Sequence, residues 1–190
     1  MPADTLPTSP LPVARREVHH RQIHCRGFAR DDGLYDIEGT LIDTKPSLLS
    51  LKSKDVPAGE PIHQMRVVLT IDRDRLILDA QAHSEATPYT SCTEVEDRYR
   101  QLIGLRIEPG FVLQVKRLFR GIAGCTHMTE LIAPMASTAF QVLWAEVEFD
   151  SVDDKQSDRR TSPLGTCHAL RLDGQVIRTY FPQFIQESSS

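Results

Sequence analysis

The chain has 190 residues, with 22 Lys and Arg against 26 Asp and Glu, a formal net charge of -4. Its 40% hydrophobic and 25% charged residues suit a single globular domain whose core needs no disulfide support. This mildly acidic balance excludes nucleic-acid binding through bulk positive charge, and no run approaches the roughly 20 apolar residues that span a bilayer.

Residues 1–14 hold Pro2, Pro7, Pro10 and Pro12 and read as a disordered N-terminal arm. The arm lacks the apolar stretch of an export signal, so a cytoplasmic location is expected. Cys25, Cys92, Cys125 and Cys167 are then expected as reduced thiols, either buried or ligating a metal. From Glu17 to Ala29 the chain is polar and His-rich, with Val18, Ile23, Cys25 and Phe28 as apolar points. It predicts an extended edge strand. Asp31-Asp32-Gly33 supplies a turn, and Leu34–Asp43 a second strand, so residues 17–43 form a hairpin.

Asp43–Pro61 contains Pro46, Pro57, Gly59 and Pro61 and is expected to be an exposed loop. Arg66–Asp72 alternates, with Val67, Leu69 and Ile71 on one face. Arg75–His83 alternates again, placing Leu76, Leu78, Ala80 and Ala82 together, which makes a second hairpin. The period then changes. Thr93–Ile103 carries Val95, Tyr99, Leu102 and Ile103 at helical spacing, and Gly104 stops it. Pro109–Arg120 is a second helix, with Phe111, Val112, Val115, Leu118 and Phe119 as its apolar stripe. A third runs from Thr126 to about Val147, kinked or divided at Pro134, and buries Met128, Leu131, Ile132, Met135 and Ala139. Residues 150–162 read as a charged loop, and Val176–Phe184 as a final strand or docked tail. Residues 15–186 are therefore expected as one α+β domain: an antiparallel sheet of two hairpins, with helices packed on one face.

Arg15-Arg16 and Arg159-Arg160 read as solvated surface. Asp36 and Glu38 share a strand face and have the chemistry for proton transfer or for a hard cation. His63, Cys92, Cys125 and His127 each sit where one element gives way to the next, so their side chains can converge at the sheet rim. Thiolate and imidazole are good donors to zinc or iron. Neither a CxxC nor an HExxH pattern is present. Two positions apart on a helix, Cys125 and His127 diverge, and they meet only if Cys125 lies in the entering loop. His127 and Glu130 share a helix face and suit a ligand-and-base or ligand-and-orienter pair. His19, His20 and His24 fall in the first hairpin, with His20 and His24 on one face. Cys167-His168 reads as local packing. With no P-loop, nucleophile elbow or GxGxxG fingerprint, a nucleotide cofactor is disfavoured.

Three runs carry a resemblance: His24-Cys25-Arg26-Gly27-Phe28-Ala29-Arg30-Asp31-Asp32-Gly33-Leu34-Tyr35-Asp36-Ile37-Glu38-Gly39, Pro61-Ile62-His63-Gln64-Met65, and Gly124-Cys125-Thr126-His127-Met128-Thr129-Glu130-Leu131. With them the chain resembles a bacterial family catalogued as domain of unknown function twenty-eight eighty-nine, from Glu17 to about Val147. That family brings no activity with it. Residues 60–131 also resemble, more distantly, iron–sulfur cluster scaffold proteins of the IscU/NifU type. Ile77-Leu78-Asp79-Ala80, Cys92, Gly104, and Cys125 with His127 follow the scaffold order. The scaffold's first cysteine is missing, and the late pair is Cys-x-His where the scaffolds have His-Cys. The resemblance implies a SufE/NifU-like fold and a metal centre of His63, Cys92, Cys125 and His127.

The expected function is a zinc- or iron-dependent lyase or hydrolase acting on a small organic substrate. Glu130, Asp36 or Glu38 would handle its protons. One alternative is a non-catalytic metal or iron–sulfur carrier. Another is a metal-free lyase, of the kind used in aromatic catabolism, or a Cys–His enzyme. The His-rich edge would suit a homodimer.

Overall fold

The computed structural model describes residues 13–146 and 164–182. The charged loop at 150–162 and residues 1–12 of the arm lie outside them. The strands are β1 (His20–Ala29), β2 (Tyr35–Thr44), β3 (Leu49–Ser50), β4 (Asp55–Val56), β5 (His63–Ile71) and β6 (Ile77–Ala86). They form a four-stranded sheet in the order β1-β2-β5-β6, each pair antiparallel, and a separate β3–β4 pair. The two expected hairpins are thus β1–β2 and β5–β6, joined through the β2–β5 ladder. The stretch read as a loop after Asp43 holds the small β3–β4 hairpin.

Alternation decides which face is covered. In β2 the odd-numbered Tyr35, Ile37 and Leu41 are buried, as are Met65, Val67, Leu69 and Ile71 of β5. The even-numbered positions face the other side, because successive strand side chains point oppositely. In β6 the phase slips. Thr70 pairs with Asp79 while Ile71 pairs with Ile77, so β6 carries one extra residue there. Ile77 is therefore buried and Leu78 is 42% exposed, whereas Ala80 and Ala82 keep the expected inward face. The bulge removes Leu78 from the set that simple alternation assigns.

Helices cover the odd-numbered face. The segment Thr90–Leu102 is a 3-10 helix, starting three residues before the expected helix. Tyr99 and Leu102, three apart, are its buried residues, and that spacing is one turn of such a helix. Helix α1 (Phe111–Leu118) buries Phe111 and Val115, with Phe119 just beyond its end. Helix α2 (Thr126–Glu146) continues through Pro134 and lies across β1, β2 and β5. Its Met128, Leu131, Ile132, Met135 and Ala139 are all buried, as the sequence pattern requires. Each fully buried Leu, Ile or Met contributes about 1.5–3 kcal/mol. The last described element is helix α3 (Gln175–Tyr180), not a strand; its Ile177 is buried. Among the described residues no helix is long and apolar enough to cross a membrane.

Two glycines set how closely α2 approaches the sheet. A Cβ at Gly39 would stand 2.6 Å from Met135 Sδ, and one at Gly27 would stand 1.9 Å from Val142 Cγ2. A thioether can move aside; a β-branched valine has few alternative rotamers. Gly27→Ala is accordingly expected to destabilise the protein by about 1–3 kcal/mol. The reading is a lower midpoint in urea denaturation, largely restored by adding Val142→Ala. An unchanged midpoint for Gly27→Ala would contradict this packing.

Candidate metal centre

Strand register places three polar residues in one row at one end of the sheet. Arg21 of β1 pairs with Asp43 of β2, and Asp43 pairs with His63 of β5. All three occupy odd-numbered positions, on the face that α2 covers. Asp43 is only 1% exposed. Its carboxylate accepts hydrogen bonds from Arg21 through Nε to Oδ1 and Nη2 to Oδ2, both at 2.8 Å. His19 Nε2 lies 3.1 Å from Oδ1. Arg21 Nη1 reaches Glu130 Oε2 of α2 at 2.5 Å. The remaining approach to Oδ2 comes from two imidazoles: His63 Nδ1 at 3.3 Å and His127 Nε2 at 3.5 Å.

His127 reaches this row because the start of α2 is fixed. The Thr129 N–H donates to the Cys125 carbonyl at 3.0 Å, so Cys125 stands at the boundary where the loop enters the helix. The buried Tyr99 holds that boundary. Its hydroxyl donates to the Cys125 carbonyl at 2.8 Å and accepts from the Cys125 N–H at 3.0 Å. The phenolic proton is then used, so Thr129 Oγ1, at 2.8 Å, is the donor in the third bond. Tyr99 also stacks on Phe119, with centroids 4.3 Å apart. Gly124 passes so close to Phe119 that a Cβ would lie 2.6 Å from Phe119 Cβ. A side chain there would push the helix start away.

With Cys125 in the entering loop, its Sγ lies 3.7 Å from His127 Nδ1. The condition set by helix geometry for this pair to meet is satisfied. His127 thus presents one ring nitrogen to the thiol and the other to Asp43, and its ring stacks on His63 with centroids 3.8 Å apart. Burial raises the Asp43 carboxyl, but the hydrogen bonds and charge of Arg21, helped by His19, prevail and hold it at about 2. Burial lowers His63, and neighbouring His127 lowers it further. Burial also lowers His127, against the pull of Asp43. The folded site therefore favours an ionised carboxylate beside neutral imidazoles, the protonation states in which both groups ligate metals. Burial pushes the Tyr99 phenol up to about 12, so it remains a neutral clamp.

Among the described residues, the group of three or more donors converging within 4.8 Å is Asp43, His63 and His127. His63 Nδ1 is buried and makes no hydrogen bond of acceptable geometry. An arrangement of this kind can hold a divalent cation, or can relay a proton between carboxylate and imidazole.

Of the residues singled out in the sequence, His63 and His127 come together and Cys125 adjoins them. Glu130 is linked to the row through Arg21 and is mostly exposed. Cys92, half-buried near the start of the 3-10 helix, is not in the converging group. Asp36 and Glu38 are not brought to this site. Their even-numbered positions put them on the opposite face, where Arg30 and Thr70 bind Asp36 and Arg66 binds Glu38. The same parity turns His20 and His24 away, so His19 is the histidine of that run that joins. Cys167 is exposed, and His168 makes local contacts with Arg171. Asp43 was not among the sequence candidates. The available signal was its parity with Ile37 and Leu41, which places a carboxylate on the buried face.

The metal-free protein should lose stability on acidification in two windows. The imidazoles are harder to protonate when folded, so below 6.5 the unfolded chain binds more protons and stability falls. The Asp43 carboxyl is easier to ionise when folded, so its contribution is complete above 3.8 and is lost as pH falls towards about 2. Urea midpoints measured against pH check this, with the lower window reduced in Asp43→Asn. Stability that rises as pH drops below 6.5 would contradict these environments.

No curated protein and no solved structure matches the chain. The model of one family, described as a protein of unknown function (DUF2889), matches residues 19–141, which span every residue of the row and the start of α2. The chain belongs to that family.

Proposed function

We propose that this protein is a metal-dependent enzyme, using zinc or iron bound by Asp43, His63 and His127, with lyase or hydrolase chemistry on a small organic substrate. The observation that carries the reading is the convergence of three donor atoms, all within 4.8 Å of one another, with both imidazoles near the spacing a small cation needs from the carboxylate. In a tetrahedral site with bonds of 2.0–2.1 Å, ligand atoms stand about 3.3–3.4 Å apart. The carboxylate oxygen of Asp43 lies 3.3 Å from His63 Nδ1 and 3.5 Å from His127 Nε2. Two imidazoles and one carboxylate are a donor set that zinc and ferrous iron both accept, and it leaves a coordination position open. Arg21 and His19 would serve as the outer partners that orient the ligating carboxylate. A cleft of about 390 Å³ borders the three donors. An ion held there would polarise a substrate oxygen or activate water. Glu130, exposed and paired with Arg21, would exchange protons with solvent in this reading.

This donor set replaces two of the four ligands implied by resemblance to the cluster scaffolds. A scaffold-like iron–sulfur carrier would depend on thiolates, and Cys92 is outside the converging group. A second reading, a metal-free Cys–His enzyme, is favoured by one contact, the 3.7 Å approach of Cys125 Sγ to His127 Nδ1.

Elemental analysis of protein prepared anaerobically and without chelators separates these readings. About one zinc or iron per chain is expected, lost in Asp43→Asn and His127→Ala and retained in Cys92→Ala. Absence of metal, or its retention in both of the first two variants, would overturn the proposal.

A further inference from the structure

The lining of the cleft beside the three donors is of two kinds. One is apolar, built by Leu49 and Leu51 at the β3–β4 hairpin and by Pro88 and Tyr89 after β6. Ser53 Oγ donates to the Pro88 carbonyl at 2.7 Å, so hairpin and turn are tied into one surface. Tyr89, which lines the cleft, is 51% exposed. The other is polar and includes Lys45, two residues beyond Asp43. The Lys45 carbonyl is anchored by the Gly59 N–H at 2.8 Å. Its ammonium donates to the Val18 carbonyl at 3.2 Å and has no carboxylate partner among the described residues. Arg21 differs: Asp43 and Glu130 already offset its charge.

We propose that this cleft binds a small monocarboxylate with a compact apolar body, its carboxylate on Lys45 and its body against Leu49, Leu51 and Tyr89. This names the substrate class for the enzyme proposed above and rests on that reading for its catalytic meaning. A neutral apolar molecule would cover the Lys45 ammonium without pairing it, which is costly. One ammonium without a carboxylate partner among the described residues matches a single carboxylate on the ligand. A cleft of about 390 Å³ lies at the small end of the range for organic ligands, so the body is compact. So bound, the molecule lies alongside Asp43, His63 and His127.

The test is titration of the full chain, after chelator treatment, with benzoate and with its neutral counterpart benzamide, followed by calorimetry. Benzoate should bind about tenfold or more tightly than benzamide. Lys45→Met should abolish that preference with an unchanged thermal midpoint, and Leu49→Ala should weaken both compounds. Equal binding of the two by the parent protein, a preference that survives Lys45→Met, or no binding of benzoate up to about 10 mM would each overturn the proposal. Because metal is removed beforehand, these outcomes are independent of the metal analysis. Failure here, where the elemental analysis has found zinc or iron, removes the substrate class alone, and failure of metal binding leaves the carboxylate site to stand on this titration.

Discussion

A carboxylate with 1% exposure at the end of a sheet is the constraint on which the site depends. Removing an unpaired charge from water costs several kcal/mol, so Asp43 is tolerable there only with partners. Arg21 supplies a two-pronged pair from the strand on one side, and His63 approaches from the strand on the other. This couples the polar row to register. A one-residue slip of β2 would carry Asp43 to the open face together with Ile37 and Leu41, losing the core and the site at once. The apolar burial that stabilises the sheet therefore also enforces the position of the carboxylate.

The second requirement is that α2 delivers His127 to the same point. The helix lies low on the sheet because Gly27 and Gly39 leave room for Val142 and Met135. Its first turn is located by Tyr99, which joins the 3-10 helix to Cys125 and Thr129 through one buried hydroxyl. Four separate parts of the chain thus meet: β1, β2, β5 and the start of α2. The cleft beside them is bounded by the small β3–β4 hairpin, so a segment with little regular structure shapes access to the donors.

Much of the architecture was legible in the residues, and the misses have physical causes. Alternation in β2 and β5 and the apolar stripe of α2 are one-sided patterns that burial enforces, so both hairpins and the long helix follow from them. The bulge at Ile77–Asp79 inserts a residue without any Gly or Pro to mark it, which turns Leu78 outward. Tyr99 and Leu102 are three apart, a spacing common to α and 3-10 helices, so the tighter helix left no distinct trace. For the site, His63 and His127 were visible as imidazoles at element junctions. Strand parity alone separates Asp36 and Glu38 from the buried face, and the same parity assigns Asp43 to it. What parity does not show is the partnership that makes burial of Asp43 tolerable, because Arg21 and His63 lie about twenty residues away on either side. Pairing across strands is a tertiary fact, and it converted a strand-end aspartate into the hub of the site.

Asp43, His63 and His127, rather than the cysteines, are the proposed ligands of the ion. X-ray absorption spectroscopy at the zinc edge of protein loaded with about one equivalent of zinc tests this assignment most directly, because sulfur and nitrogen or oxygen ligands differ in distance. A shell of nitrogen and oxygen at about 2.0–2.1 Å is expected, with the multiple-scattering signature of two imidazoles and no sulfur. A sulfur shell at about 2.3 Å would contradict the assignment and return Cys125 or Cys92 to the ligand set.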